Sequence, residues 1–274
     1  MAETPLIQWP KAPREFSLGK RDVHVWAAPL LVLAEQAATY EATLSSDEQA
    51  RAARFLFERD RRRFIIGRGI LRAILGKYLR IPPAQIRFTY AHHGKPALAD
   101  LAGTDELHFN LAHSEELAVF AMSRIRGIGI DVEKQRPIDD AESIAERFFS
   151  AHESRQLKSL PAQKKQDGFF NLWTRKEAWL KATGEGLGEM LNQIEVSLRP
   201  DEPARLLSIF NDTKAATEWS LRELIPANGF VGALAIPATD FQMHCWSWQP
   251  QAVPAMQALP HAVISHVKPN EQRL

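Results

Sequence analysis

Apolar positions along the chain recur with two periods. Short apolar runs at Val23–Trp26, Ile86–Tyr90, Leu107–Leu111 and Leu117–Met122 read as strands. Between the first two of them, Ile66, Ile70, Ile74 and Leu75 fall at helical spacing. They predict a helix from about Arg61 to Leu79, stopped by Pro82 and Pro83. Ahead of it, Ser45-Ser46-Asp47 caps a shorter helix running to about Phe57. Residues 1–20 are aperiodic and dotted with proline, the pattern of an arm lying on the surface.

The order then repeats. Ile128–Glu133 reads as a strand, Asp139–Phe149 as a helix, and Asp167 to about Thr183 as a stronger helix ended by Gly184. Ile194–Leu198, Trp219–Leu224, Val231–Ile236 and Phe241–Trp248 read as strands. Side chains do not repeat, but the element order does, so the expected fold class is α+β with two similar lobes. The expected divisions are 1–125 for the first lobe with its arm, 126–250 for the second, and 251–274 for a loose tail. A ligand site is expected between such lobes.

Composition narrows the possibilities. With 274 residues, 45% of them apolar, the chain can build a sizeable core. A net charge of +1 provides no field that would steer it to nucleic acid or an anionic membrane. Locally the balance differs: eight arginines stand between Arg51 and Arg72, against Glu58 and Asp60, a patch suited to phosphate groups. The single cysteine, Cys245, has no partner for a disulfide within the chain. No apolar run approaches the roughly 20 residues of a membrane span, and Met1–Pro10 lacks a secretory signature. The expectation is a cytoplasmic protein.

Candidate chemistry sits in two segments. In Gly127-Ile128-Gly129-Ile130-Asp131-Val132-Glu133 the isoleucines and valine point to one face, and Gly129, Asp131 and Glu133 to the other. Two carboxylates side by side repel unless a cation intervenes. The same spacing also fits a solvated strand face beside Lys134 and Arg136. In the second segment Phe170, Trp173, Glu177 and Leu180 fall in one helical stripe, so a carboxylate interrupts an apolar face, with Lys181 one turn beyond. A plain Glu177–Lys181 helix pair also explains that spacing. Three carboxylates suit a hard cation such as Mg²⁺. The histidines form no HExxH, which fits zinc poorly. For phosphate, the candidates are Arg51, Arg54, Arg63 beside Gly67, the turn His92-His93-Gly94-Lys95-Pro96, and His113-Ser114 at a strand end. Neither a Walker loop nor GxGxxG after a strand is present.

Three blocks together resemble the Sfp-type 4'-phosphopantetheinyl transferases. They are Gly94-Lys95-Pro96 with Phe109-Asn110-Leu111-Ala112-His113-Ser114; Gly129-Ile130-Asp131-Val132-Glu133; and Trp173-Thr174-Arg175-Lys176-Glu177-Ala178 with Lys181. The last block looks like the subgroup ending Lys-Glu-Ala, and the resemblance spans about Ser45 to Gly186. It implies a duplicated α+β fold with lobes in pseudo-twofold arrangement and a site complete in a monomer. It implies transfer of the phosphopantetheine arm of coenzyme A to a serine of an acyl or peptidyl carrier protein. By the same resemblance, Asp131, Glu133 and Glu177 match magnesium ligands, Glu177 with a possible second duty as base. Lys181 matches the lysine beside the diphosphate, and Lys95, His113, Arg63 and Arg51 match contacts to coenzyme A phosphates. An acidic carrier would meet arginines and exposed apolar side chains, with Phe148 and Phe149 as candidates. Two positions depart from the family: Ala112 where a serine is common, and Glu48 at a basic position, so the 3'-phosphate pocket would need another base such as Arg54. A Mg²⁺-dependent phosphodiester hydrolase and a non-catalytic coenzyme A-binding protein are the alternatives from other classes.

Overall fold

A computed structural model describes residues 4–91, 94–99, 107–184 and 191–249. The tail 251–274 and the pair His92-His93 lie outside the described residues. In chain order the elements are β1 (Asp22–Pro29), α1 (Ala34–Glu41), α2 (Ser46–Ala52), α3 (Glu58–Leu79), β2 (Phe88–Tyr90), β3 (Pro96–Leu98), β4 (His108–Ser114), β5 (Leu117–Ser123) and β6 (Gly129–Lys134). Then follow α4 (Ala141–Phe148), α5 (Ala151–Ser159), α6 (Ala162–Thr183), β7 (Ile194–Val196), β8 (Leu206–Ile209), α7 (Thr213–Ala216), β9 (Ser220–Leu224), β10 (Phe230–Ile236) and β11 (Gln242–Ser247).

Two sheets carry the architecture, ordered β11-β1-β5-β4 and β6-β10-β9. Without β11 they correspond position by position. β1 pairs antiparallel with β5 and β5 with β4, as β6 pairs antiparallel with β10 and β10 with β9. Each sheet is backed by a helix of 22 residues, α3 or α6. The fold is α+β, with two lobes.

The sheets bury both faces, and alternation along each strand shows where each face goes. On β5, Ala118, Phe120 and Met122 join Ile66, Ile70 and Ile74 of α3 in one core. The alternate residues Leu117, Val119 and Ala121 join Ile130, Val132 and Leu234 of the other sheet in a second core. On β10, Val231, Ala233 and Ala235 face α6 in a third. The layers run α3, first sheet, second sheet, α6. Strands covered on both sides read as unbroken apolar runs, which is why β5 and β10 are so plain in the sequence.

One strand crosses over. β11, expected within the division 126–250, pairs in parallel with β1, placing His244 beside His24 and Trp246 beside Trp26. Its Trp246 packs on Phe16 and Trp26, in an aromatic cluster of the first lobe that Tyr78 joins through Phe16. The arm at the N-terminus makes the reverse crossing: Ile7 bridges Ala227 of the second lobe. The helix expected to run to Phe57 ends at Ala52, and α3 opens at Glu58 rather than Arg61.

Candidate active site

The two sheets meet where β4 runs beside β6. These strands share no ladder; side chains of β4 take over the bonding. Asn110 Oδ1 accepts from the Ile130 N–H at 2.8 Å, and Ser114 Oγ accepts from the Lys134 N–H at 3.1 Å. Four residues separate the two side chains and four separate the two amides, so the strands travel in register. Ser114 Oγ also donates to Glu133 Oε2 at 2.7 Å.

α6 packs on the face of β6 that carries Gly129 and Asp131. A Cβ on Gly129 would stand 2.0 Å from the Ala178 carbonyl oxygen and 2.3 Å from the Ala182 nitrogen. Only glycine admits the helix this close. The contact sets Glu177 and Lys181 of α6 over Asp131, two residues further along the strand. Lys181 Nζ donates to Asp131 Oδ1 at 2.6 Å. Lys181 therefore reaches across to the strand, and the i,i+4 partner Glu177 is left a carboxylate in an apolar surround. Asp131 and Glu177 are both buried, and Asp131 Oδ2 and Glu177 Oε1 have no hydrogen-bond partner.

Burial pushes the Asp131 carboxyl up to about 7; Lys181 pulls it down, and Glu133 and Glu177 add to the rise. Burial also raises Glu177, with Lys181 opposing and Glu133 assisting. The three carboxylates thus feel one another, and two buried oxygens are unbonded. This donor set fits a hard cation. As they stand, no three or more His, Cys, Asp or Glu side chains among the described residues are gathered closely enough to hold a metal ion. Asp131 is turned to Lys181 and Glu133 to Ser114.

The same block of α6 fixes the helix on its other side. Arg175 Nη1 donates to the Ser197 carbonyl at 2.6 Å. Lys176, fully buried, lies 2.7 Å from Glu153 and donates to the Leu191 carbonyl at 2.6 Å. Arg175 and Lys176 hold α6 in the second lobe while Glu177 and Lys181 face β6. That division of the motif was not assigned from the sequence.

The phosphate candidates divide. Lys95 Nζ donates to the carbonyl oxygens of Lys181, Ala182 (3.5 Å) and Ile128 (3.3 Å). It ties the first lobe to the last turn of α6, where a cation complements the helix dipole. Burial lowers its pKa. Lys95 also borders a recess of about 590 Å³ between the lobes, with Arg126, Gly127 and Gly184. Arg63 is gripped by Glu115 (2.8 Å) and Glu116 (2.7 Å) in the turn after β4. A Cβ on Gly67, beside Arg63, would come only to ordinary contact with Leu30 at 3.6 Å. The close approach on α3 belongs to Gly69, against Tyr40 of α1.

His113 stays exposed, and desolvation, then Lys181 and Arg63, lower its pKa, with Asp60 opposing. Arg51 and Arg54 line a separate recess of about 580 Å³ with Asp47, Phe55, Tyr90 and Gly94. Glu48 belongs to the interior: 1% exposed, it pairs with Arg72 at 2.6 Å and Arg68 at 3.4 Å. Phe149 is core, whereas Phe148 is 39% exposed under Arg147. No helix among the described residues is long and apolar enough to cross a membrane.

Residues 127–235 match the family described as the 4'-phosphopantetheinyl transferase superfamily, and residues 33–125 match the N-terminal family of 4'-phosphopantetheinyl transferase. The chain is 46% identical to the 4'-phosphopantetheinyl transferase HetI of Nostoc, over 88% of this chain and 98% of that one. It is 32% identical to the 4'-phosphopantetheinyl transferase Sfp of Bacillus subtilis, over 58% of this chain and 68% of that one. It is 27% identical to the L-aminoadipate-semialdehyde dehydrogenase-phosphopantetheinyl transferase of Xenopus laevis, over 72% and 70%.

Proposed function

Because the chain belongs to the 4'-phosphopantetheinyl transferase superfamily, and to its Sfp type, we propose that it moves the phosphopantetheine arm of coenzyme A onto a serine of an apo carrier protein. The observation that carries this reading is the convergence of Asp131, Glu177 and Lys181, with two buried carboxylate oxygens unbonded at the junction of the lobes.

In this reading Asp131, Glu133 and Glu177 would hold Mg²⁺. When bound, it would neutralise charge on the diphosphate and on the leaving 3',5'-ADP. Lys181 contributes a second positive charge beside the same phosphates. The carrier serine oxygen attacks the phosphorus that bears the pantetheine arm, and the bond from that phosphorus to the 3',5'-ADP oxygen breaks. Glu177, raised in pKa by burial, is suited to accept the serine proton. Ligation would lower its basicity, so ligand and base are separate duties to be tested. Arg51 and His113 are assigned to coenzyme A phosphates, with Arg54 beside Arg51 in its recess. Arg63 and Lys95, matched to the same role by resemblance, are engaged by Glu115 and Glu116 and by the carbonyls of α6. We assign them to holding the walls of the cleft. The exposed Phe148 with Arg147 is a carrier contact in this scheme.

The test incubates the protein with coenzyme A, Mg²⁺ and a panel of apo carriers, and follows carrier mass. A phosphopantetheine gain on at least one carrier is expected. No gain on any of them would sink the proposal, and hydrolysis of coenzyme A without an acceptor would redirect it to a phosphodiesterase. The same assay on Glu133→Gln and Glu177→Gln, across Mg²⁺ concentration and pH, separates ligand from base. Loss of the acidic limb of the pH profile, the rise of rate as the base deprotonates, only in Glu177→Gln marks the base.

A further inference from the structure

The hairpin between β4 and β5 turns on Glu115 and Glu116 alone, because Ser114 pairs with Leu117. Glu115 has a φ of 48°, the left-handed region that glycine, asparagine or aspartate usually fills in so tight a turn. A long side chain with a Cβ is strained there, and such strain persists only where the surroundings hold it. Here they do. Glu115 Oε2 and Glu116 Oε1 accept from Arg63 Nη2 at 2.8 and 2.7 Å. The Glu116 carbonyl accepts from the Leu30 N–H at 2.8 Å. One cation of α3 thus grips both residues of the turn.

What the turn fixes is the residue before it. Ser114 Oγ accepts from the Lys134 N–H, so the hydroxyl proton is left for Glu133 Oε2. The hydroxyl belongs to the first lobe and the carboxylate to the second. Only one carboxylate oxygen is taken; Glu133 Oε1 has no partner among the described residues.

We propose that Ser114 is a positioning residue: its hydroxyl, held in place by the clamped Glu115-Glu116 turn, orients the Glu133 carboxylate toward a divalent cation. The inference deepens the transferase reading and rests on its assignment of Glu133 as a ligand.

Two features favour orientation over plain packing of the lobes. Asn110 already ties β4 to β6 through the Ile130 N–H, in the interior. Ser114 adds a tie at the half-buried rim beside exposed Lys134, where water serves an amide equally well. Among the three carboxylates, moreover, Asp131 and Glu177 are buried and Glu133 is not. Packing confines the first two. Glu133 depends on a hydrogen bond to keep one oxygen aimed, as carboxylate ligands of metals commonly do.

The experiment titrates Mn²⁺, followed by loss of its free EPR signal, into the full chain and into Ser114→Ala, Ser114→Thr, Glu115→Gly, Glu133→Gln and Ser114→Ala/Glu133→Gln. Thermal melting is read in EDTA, and transfer is measured across Mg²⁺ concentration. Ser114→Ala should raise the Mn²⁺ Kd, and the Mg²⁺ needed for half-maximal transfer, about tenfold or more, with melting and acceptor KM unchanged. Ser114→Thr keeps the hydroxyl and should restore both. In the Glu133→Gln background, losing the hydroxyl should change the Mn²⁺ Kd less than about twofold, since no carboxylate is left to orient. Glu115→Gly, which relieves the left-handed strain and loosens the grip of Arg63, should weaken Mn²⁺ about threefold or more.

An unchanged Mn²⁺ Kd in Ser114→Ala, or an equal loss in the Glu133→Gln background, would overturn the proposal. So would tighter binding in Ser114→Ala, which would mean that the hydroxyl holds Glu133 away from the cation. An unchanged Kd in Glu115→Gly would overturn the role given to the turn. Mn²⁺ binding by Glu133→Gln equal to that of wild type would refute Glu133 as a ligand, and the proposal with it. The expected coupling of Ser114 to Glu133, with no transfer to any carrier, would refute the transferase reading and keep the inference.

Discussion

Gly129 and Ala178 meet backbone to backbone: a Cβ on Gly129 would lie 2.0 Å from the Ala178 carbonyl oxygen. This single contact sets the distance between β6 and α6, and hence brings Lys181 onto Asp131 at 2.6 Å. Gly129→Ala is therefore expected to push the helix away. Overpacking of this kind costs roughly 1–3 kcal/mol, and a backbone neighbour that cannot yield puts the loss at the upper end. Urea unfolding measures it. Transfer activity should fall further than stability explains, because both sides of the site move apart.

Asp131 holds a charge against its surroundings, and Asp131→Asn is expected to separate stability from activity. Removing a buried charge relieves desolvation, while the amide oxygen still accepts from Lys181. Thermal melting should hold or rise by a few degrees. Turnover should drop by about 100-fold or more. A large fall in melting temperature would show that the Lys181 pair stabilises the fold more than burial costs.

Lys95 is predicted to act through α6. In Lys95→Met the last turn loses its tie to the first lobe, and Lys181 loses its anchorage. The expected result is kcat reduced about tenfold or more with the KM for coenzyme A changed less than about threefold. Lys95 and Lys181 substitutions should also be non-additive. An equal rise in KM with unchanged kcat would return Lys95 to the phosphates.

His24 supplies an acid-sensitive point far from the cleft. Burial, then the neighbouring His244, lowers its pKa to about 4, with Asp22 opposing. Its Nδ1 lies 2.8 Å from Tyr78 Oη. The unfolded chain has the ordinary value of about 6.5, so between these values the unfolded state binds more protons. The contribution is full above pH 6.5 and is lost as pH falls through 4, on the order of 3 kcal/mol in total. Denaturant titrations between pH 7 and pH 4 should show this slope in wild type and a flatter one in His24→Gln.

Periodicity exposed whatever is buried in long regular stretches, and little else. β5, β10 and α3 were plain because their apolar residues run without interruption or at helical spacing. α1 buries only Tyr40 in the sequence AEQAATYE, so no stripe announces it. α5 carried a readable start, the reciprocal cap of Ser150 and Glu153, and was overlooked for want of an apolar run. Within the site, strand alternation placed Asp131 and Glu133 on one face, and helical spacing placed Glu177 in its stripe. What joins them was not legible, because the bonds are long-range. Lys95 meets a carbonyl 86 residues away, and Arg63 its acids 52 and 53 residues away. Local pattern carries no record of such partners. Alternation puts Gly129 on the face of Asp131 and Glu133; that α6 packs against it emerges only from the fold.

The pairing of β11 with β1 bears on how this protein comes into being on the ribosome. Asp22 aligns with Gln242 and Ala27 with Ser247, so one edge of the first sheet waits for the last described strand. Closing so wide a loop is slow. Until it closes, the aromatic cluster around Trp26 has one side bare. Nascent lengths ending near residue 125 would display that edge to other chains, and they would be substrates for chaperones rather than finished units. The two lobes resemble each other in topology, but the first has its edge covered only when the last described strand of the chain arrives.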